Sequence, residues 1–164
     1  MSWGHNMMMN IDLNNIGALK EKIGKEIAVS EWRTVSQEEI DQFGQVTGDG
    51  HWIHTDQARS STSSPYGMTI AQGLLSLCLL ASFSKEILNK NNSCICINYG
   101  FNRIRFPAPV RTGQRIRAHL EISSLHKLVG GGSVTWAGTV EIEGCEKPAC
   151  YAEIISQFFF YQAS

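Results

Sequence analysis

The ten residues from Thr47 to Asp56, Thr-Gly-Asp-Gly-His-Trp-Ile-His-Thr-Asp, bring carboxylate and imidazole side chains close together in the chain. Asp49 and His54 could serve as an acid and a base near neutral pH. On a continuous helix, five residues rotate by about 140°, which would separate the two side chains. Gly48 and Gly50 permit a turn that presents both to one point. The stretch is therefore compatible with acid–base chemistry, and equally with a polar turn in which Asp49 caps its own backbone.

The elements on either side of this stretch can be predicted from periodicity. Ser36 and Glu39 have the spacing of a capping box, which predicts a helix from about Gln37 to Val46. Residues 56–69 are polar and include a Pro and a Gly, so we expect a connection there. Residues 70–88 are apolar around the whole helix axis, which predicts a long helix buried on every side.

The first part of the chain predicts a short helix, and the last part predicts a series of strands. Apolar Leu and Ile residues at helical intervals over residues 13–23 predict a short helix, with Asp12 as its cap and Gly24 as its stop. From Cys94 onward the apolar period changes from 3.6 to 2, and short Gly-containing turns imply antiparallel pairing. The pattern predicts an α+β fold, and a hotdog fold, with an antiparallel sheet wrapped around a long buried central helix, satisfies it.

Composition narrows the class of protein. A chain of 164 residues fits one domain, residues 1–164, in which residues 1–24 form an N-terminal extension with the short helix. With a net charge of −1 and a pI near 6.5, the protein as a whole has no positive electrostatic field that would attract nucleic acid or an anionic membrane. The longest apolar run, residues 73–83, is too short to span a bilayer, and the first residues do not resemble a secretory signal.

The five cysteines are an odd number and lack the spacing of a zinc site or a redox pair. We therefore expect reduced thiols that act as small core residues, a cytoplasmic location and no bound metal.

Two blocks of sequence resemble a known family. Residues 43–82, "FGQVTGDGHWIHTDQARSSTSSPYGMTIAQGLLSLCLLAS", look like the MaoC-type dehydratases, the (R)-specific enoyl-CoA hydratases, and most closely their nodulation protein N-like branch. Family members place an Asp after a helix, a His five residues later and a Gly at the start of the central hotdog helix; here these positions are Asp49, His54 and Gly73. Residues 98–116, "NYGFNRIRFPAPVRTGQRI", resemble the family's following strand segment, with matching Phe106, Pro109, Val110 and Gly113.

The resemblance implies reversible addition of water across the α,β double bond of an acyl thioester. In that reaction Asp49 and His54 hold one water, and the backbone N–H of Gly73 donates to the thioester oxygen. The substrate-binding residues expected beside Gly73 are Tyr66, Gly67, Gln72 and Arg103. No metal or redox cofactor is implied, because the coenzyme A or acyl carrier arm arrives as part of the substrate. The resemblance also implies a homodimer.

The chain departs from the usual hydratase pattern Asp-x-Asn-Pro-x-His at His51 and Trp52, and Gln72 stands where many members have His. These departures bear on the substrate.

Two other functions remain open at this point. A hotdog thioesterase would need a carboxylate on the central helix, where residues 73–85 contain none and Glu86 lies near the far end. A non-catalytic acyl-binding protein would retain Asp49 and His54 only as a turn and a cap. Residues 103–117 contain five arginines and no acid, which could meet coenzyme A phosphates or an acidic carrier protein, or form a solvated strand face.

Overall fold

The computed structural model describes residues 5–8, 16–89 and 94–161. In chain order the elements are β1 (His5–Met8), α1 (Ile16–Lys20), β2 (Glu26–Ser30), β3 (Arg33–Thr34), α2 (Gln37–Thr47), α3 (Trp52–Thr55), α4 (Gln57–Ser63), α5 (Gly73–Asn89), β4 (Cys94–Arg105), β5 (Arg115–Leu128), β6 (Gly131–Ile142) and β7 (Cys150–Phe160).

All strand pairs are antiparallel, and together the strands form one sheet in the order β1-β2-β5-β6-β7-β4, with β3 paired to β5. Helix α5 packs against β4, β5, β6 and β7. The inward side chains of β5 alternate as the sequence predicts, and they are fully buried: Ile116, Ala118, Leu120 and Ile122. The sheet therefore curves across one side of α5, and the predicted α+β hotdog architecture is confirmed.

Helix α2 begins where its capping box places it. The Ser36 hydroxyl accepts from the backbone N–H of Glu39, and the Glu39 carboxylate accepts from the backbone N–H of Ser36. The N-terminal helix is shorter than predicted. It ends at Lys20, because a turn follows at residues 21–22, Ile23 forms an isolated bridge with Ile122, and Gly24 donates its N–H to the carbonyl of Ile122 in the sheet. The predicted cap Asp12 lies outside the described residues.

Residues 57–63 form helix α4 rather than a plain connection, since the Asp56 side chain accepts from the backbone N–H of Arg59 and caps the helix. The central helix starts at Gly73 instead of Ile70. Its expected first residues are extended, because Ile70 and Ala71 bond to other parts of the chain. No helix within the described ranges is long and apolar enough to cross a membrane.

Two expectations about burial are wrong. Helix α5 is not covered on every side, since Leu74 is 54 % exposed and Cys78 is exposed on the same face. The cysteines are not all core residues either: Cys78 and Cys145 are exposed, whereas Cys94, Cys96 and Cys150 are buried. On β4 the buried face carries Cys94 and Cys96, and large apolar side chains point outward instead: Ile95, Ile97, Tyr99 and Phe101.

Candidate active site

The turn that carries Asp49 follows directly from the end of α2. Gly48 caps the helix with φ of 76°, a left-handed conformation that suits a residue without a Cβ. The Thr47 hydroxyl donates to the carbonyl of Phe43 and accepts from the backbone N–H of Asp49, at 2.7 and 3.4 Å. Of the two glycines flanking Asp49, only Gly48 has a positive φ. Asp49 is exposed at this turn.

His54 lies on the short helix α3, and its ring is held by a main-chain carbonyl. Its Nδ1 is 2.7 Å from the carbonyl oxygen of Ile70. A carbonyl can only accept, so Nδ1 carries the proton in this contact. In the neutral imidazole, Nε2 then has the free lone pair. This tautomer leaves Nε2 as the nitrogen able to take a proton from a ligand.

Hydrogen bonds from residues 69–71 link the first sequence block that resembles the family to the second. The backbone N–H of Ile70 donates to the carbonyl of Ile53 at 3.1 Å, next to His54. In the other direction, Ala71 donates to the carbonyl of Val110 at 2.7 Å. The carbonyl of Thr69 accepts from the backbone N–H of Thr112 at 3.0 Å. The carbonyl that orients His54 is thus fixed by hydrogen bonds on both sides.

Gln37 supplies a further brace that sequence reasoning missed. Its side-chain amide donates to the carbonyl of His54 at 2.7 Å, and its carbonyl oxygen accepts from the Thr69 hydroxyl at 2.5 Å. Gln37 is the first residue of α2, so the capping box that starts the helix also positions this side chain. Its polarity alone gave no signal, because a Gln at a helix start is ordinary.

A cavity of about 330 Å³ opens beside His54. Its polar lining comes from His54, Tyr66 and Ser76, and it also includes the start of α5 at Gly73. The remaining wall is largely apolar, with Phe106 and Val110 contributed by the second family-like block. The cavity therefore combines an apolar space with a few polar groups, which is the usual make-up of a small-molecule site.

Gly73 occupies the N-terminal end of α5, where helix N–H groups have no partner within the helix. No acceptor for its N–H is found among residues 5–8, 16–89 and 94–161. A Cβ at this position would lie 2.9 Å from Cγ of Phe106, so only glycine lets that ring pack directly on the helix start. The Phe106 ring is therefore a group that approaches the Gly73 backbone closely.

Asp49 does not line the cavity that His54 lines. Its main chain is nevertheless tied to the start of α5, because the Gln72 side-chain amide donates to the Asp49 carbonyl at 3.2 Å. The same amide donates to the carbonyl of Ile40 at 3.3 Å. Gly44 makes room for this contact: a Cβ there would be 2.9 Å from the Asp49 carbonyl oxygen. No hydrogen bond joins the Asp49 and His54 side chains in the described part of the chain, and of the two only His54 lines the cavity.

The four expected substrate-binding residues are placed differently from one another. Tyr66 lines the cavity. Gly67 is exposed in the adjacent turn with φ of 71°. Gln72 is 2 % exposed and points into the protein, where its Oε1 has no hydrogen-bond partner. Arg103 lies away from the cavity, on β4, with its guanidinium 6.0 Å from the centre of the Tyr151 ring.

The arginine-rich segment is partly neutralised. Arg115 pairs with Glu143 at 2.8 Å, and Arg117 pairs with Glu141, both across the β5–β6 strands. Trp32 stacks on Arg117, with the guanidinium carbon 4.5 Å from the ring centre. These two arginines therefore belong to a paired strand face, as the alternative to a phosphate-binding role predicts.

His119 lies on the same outer face of the sheet, between two carboxylates. Its Nδ1 is 2.8 Å from Glu26 and its Nε2 is 2.8 Å from Glu141. Burial acts to raise the pKa of Glu141, but hydrogen bonds and charge from Arg117 and His119 outweigh it and lower that pKa below its ordinary value of 4.5.

The part of the chain that the structure describes contains no group of three or more His, Cys, Asp or Glu side chains placed to hold a metal ion. Burial raises the pKa of both Cys96 and Cys150 to about 12, so these thiols stay protonated near neutral pH.

Comparison with known proteins identifies the family of this chain. Residues 18–143 match the MaoC like domain. The chain is 40 % identical over 146 residues to 3-hydroxyacyl-thioester dehydratase Z of Mycobacterium tuberculosis, a match that covers 88 % of this chain and 95 % of that protein. It is 37 % identical over 146 residues to nodulation protein N of Rhizobium leguminosarum bv. viciae, with 87 % and 89 % covered.

Among solved structures, the unliganded R-hydratase PhaJ1 of Pseudomonas aeruginosa has the same fold, with a TM-score of 0.65 at 21 % identity over 99 % of this chain and 90 % of that one. The family domain spans most of the chain, including α2, the turn, the central helix and most of the cavity lining. The protein therefore belongs to the MaoC-like domain family, with relatives in the nodulation protein N branch.

Proposed function

We propose that this protein is a hydratase/dehydratase that adds water reversibly across the α,β double bond of an acyl thioester, of the type enoyl-CoA to (R)-3-hydroxyacyl-CoA. The observation that carries the proposal is the orientation of His54. Its Nδ1–H is given to the Ile70 carbonyl, so Nε2 is left as a base in the cavity that begins at the free N–H of Gly73. Membership of the MaoC-like family and 40 % identity to a 3-hydroxyacyl-thioester dehydratase support the same reaction class.

In the hydration direction, Nε2 of His54 takes a proton from water as the water oxygen bonds to C3 of the enoyl group. The electron pair of the C2–C3 double bond moves toward the thioester carbonyl, which becomes an enolate. Protonation of C2 by the Asp49–His54 pair completes the addition. The reverse sequence of the same steps is the dehydration.

The developing enolate oxygen needs a hydrogen-bond donor. The N–H of Gly73 has no acceptor in the described part of the chain, and it lies at the positive end of the α5 dipole. A donor placed at such a helix end stabilises negative charge as it forms. The Phe106 ring, which packs on Gly73, forms the neighbouring wall of the cavity.

Asp49 is the second member of the proposed pair. It lies outside the cavity, on the exposed turn after α2, with its carbonyl hydrogen-bonded to Gln72 just before the start of α5. Gln72 therefore acts on the site through Asp49 rather than by contact with the substrate. Tyr66 lines the cavity, and Gly67 shapes the turn beside it.

The acyl carrier would extend beyond the cavity. We assign Arg103, exposed on β4, to the phosphates of a coenzyme A or carrier-protein arm. The reaction needs no other cofactor, since the thioester arm comes with the substrate.

A homodimer fits two sets of exposed side chains, Leu74 and Cys78 on α5 and Ile95, Ile97, Tyr99 and Phe101 on β4, which together we call the β4–α5 face. β4 is the last strand of the sheet, so one of its edges lacks a partner strand among the described residues. Tyr99 is 65 % exposed and Ile95 is 54 % exposed on that strand. An unpaired edge beside apolar side chains is covered at low cost by a second copy of the same chain.

The proposal is tested with crotonyl-CoA and a longer trans-2-enoyl-CoA, by following the loss of enoyl absorbance. Asp49→Asn and His54→Gln should each keep the fold and lower kcat by on the order of 10² or more, as expected for a positioned acid or base. Chiral analysis of the product should find the (R)-3-hydroxyacyl thioester. Release of free coenzyme A, measured with a thiol reagent, would indicate a thioesterase instead. Full hydration activity in either variant would remove that residue from the mechanism.

A further inference from the structure

The hydrogen bond between His54 and Ile70 joins two segments of the chain that are 16 residues apart. His54 lies on α3, which has only four residues, and a helix this short is not stable in water by itself. No residue of α3 is buried. Burial of α3 alone therefore does not fix the imidazole, and other contacts must hold the two segments together.

Gln37 contacts both of these segments with one side-chain amide. Its Nε2 donates to the backbone carbonyl of His54 itself, at 2.7 Å. Its Oε1 accepts from the hydroxyl of Thr69 at 2.5 Å, and Thr69 is fully buried directly before Ile70. The amide thus connects the residue that carries the imidazole to the neighbour of the residue that accepts from it.

A third contact fixes the orientation of the amide. Nε2 of Gln37 also donates to Oδ1 of Asp41 at 2.8 Å, one turn later in α2. An ionised carboxylate and a carbonyl only accept, so the nitrogen must face both Asp41 and the carbonyl of His54. Turning the amide over would place Oε1 against these two acceptors. Both N–H groups and the carbonyl oxygen of Gln37 are therefore used in this arrangement.

The backbone of Gln37 is fixed as well as its side chain. Gln37 is the first residue of α2, where the capping box holds the start of the helix. The same helix ends at Gly48, directly before Asp49. One end of α2 therefore contacts His54, and the other end leads into the turn of Asp49. A single helix thus holds both members of the proposed pair.

We propose that Gln37 is a positioning residue for His54. Its amide holds α3 against residues 69–70, which keeps the Nδ1 proton of His54 on the Ile70 carbonyl and leaves Nε2 free as the base. The inference rests on the hydratase function proposed above. Gln37 does not line the cavity, so it acts through His54 and not by contact with the substrate. Without its amide, the His54 carbonyl and the buried Thr69 hydroxyl would lose their partners, which is costly for groups removed from water.

The first measurement is hydration of crotonyl-CoA by Gln37→Met, in which a side chain of similar length offers no such hydrogen bonds. We expect kcat to fall by about 10- to 100-fold, the effect of a slightly displaced catalytic group. KM should change little, because no contact with the substrate is removed. Gln42→Met is the matched control, since Gln42 lies exposed on the same helix and its amide donates to Glu38. Its kinetics should equal those of wild type.

The second measurement determines the tautomer of His54 without any substrate. In isotope-labelled protein at mildly alkaline pH, the NMR chemical shifts of the two ring nitrogens show which of them carries the proton. The His54→Gln protein, which lacks these signals, assigns them. Wild type and Gln42→Met should show the proton on Nδ1. Gln37→Met should show a mixture of both tautomers, because the ring no longer stays on the Ile70 carbonyl.

The two measurements separate this inference from the proposed function. A folded Gln37→Met protein with wild-type kcat and the proton still on Nδ1 would overturn the role of Gln37. A lower kcat with an unchanged tautomer would also overturn it, since the damage would not pass through the imidazole. A changed tautomer in Gln37→Met, with no hydration by folded wild type, would support the positioning of His54 and overturn the hydratase function.

A second variant covers the case in which Gln37→Met does not fold. Gln37→Glu keeps an acceptor for the Thr69 hydroxyl but has no N–H for the His54 carbonyl. It should show the same fall in kcat and the same mixture of tautomers. Wild-type values of both in Gln37→Glu would overturn the inference.

Discussion

Replacing Gly44 with Ala should damage catalysis more than it damages the fold. A Cβ at residue 44 would lie 2.9 Å from the Asp49 carbonyl oxygen and 3.3 Å from Nε2 of Gln72. Ordinary contact begins at about 3.4 Å, so the Asp49 main chain must move away by about 0.5 Å. The Gln72–Asp49 hydrogen bond, now 3.2 Å long, would be stretched by this movement.

Two effects on stability oppose each other in this variant. Crowding a packed site costs about 1–3 kcal/mol. Gly44 lies within α2, where Ala is more favourable than Gly by about 0.5–1 kcal/mol. The net loss is therefore about 0–2.5 kcal/mol, which lowers Tm by at most about 10 °C at this chain length. Catalysis has no such compensation, since a displaced catalytic group can cost on the order of 10² in kcat.

The assay is enoyl thioester hydration beside thermal unfolding. Gly50→Ala is the matched control: it stands on the other side of Asp49, does not adopt a positive φ, and a Cβ there meets nothing within 4 Å. It should keep wild-type activity. In an Asp49→Asn background, Gly44→Ala should add little further loss, because both changes act through one residue. A folded Gly44→Ala protein with wild-type kcat/KM would refute the positioning of Asp49 by this contact.

Three further outcomes are expected. Leu74→Glu in the β4–α5 face should convert a dimer to a monomer in light scattering, whereas Val129→Glu, at a hairpin residue that is 99 % exposed, should not; a wild-type monomer would contradict the dimer. Iodoacetamide at mildly alkaline pH should label exposed Cys145 well before Cys96, whose pKa burial raises to about 12, and mass spectrometry would show equal labelling if this is wrong. Because the pKa of Glu141 is lowered in the folded state, its ionised carboxylate stabilises the fold above about pH 4.5, and this stabilisation is lost as pH falls through the folded pKa. Glu141→Gln should therefore make the decline of Tm in acid less steep, which corresponds to under about 1 kcal/mol in the free energy of unfolding. An unchanged decline would contradict the pairing.

Much of the secondary structure could be predicted from sequence patterns that span only a few residues. The Ser36–Glu39 capping box lies within a few residues of chain and places the start of α2 correctly. The alternation in β5 marks its buried face, because the strand period is independent of the strand's partners. The start of α5 could not be read in this way. Ile70 and Ala71 directly precede the helix in the sequence, but their N–H groups donate to the carbonyls of Ile53 and Val110. These tertiary hydrogen bonds override the helix propensity of the two residues.

The sequence pointed to His54 and Gly73, which line one cavity, but the arrangement of the other candidate residues could not be predicted. The family resemblance singles out Asp49, His54 and Gly73. It does not indicate that Gln72 turns away from the cavity to hold the Asp49 carbonyl, a contact between residues 23 apart in the chain. The exposed side of α5 could not be predicted either. A helix that is apolar on all sides has the same sequence pattern whether its own sheet or another chain covers its remaining face.

The hydrogen bond from His54 to Ile70 has a consequence for how the sequence can vary over evolution. The acceptor is a main-chain oxygen, and every amino acid at residue 70 would supply the same atom. The tautomer of the histidine is thus insensitive to the identity of its partner, unlike sites where a carboxylate side chain orients the imidazole. Substitutions at residue 70 can therefore change the shape of the cavity wall without changing which nitrogen of His54 carries the proton.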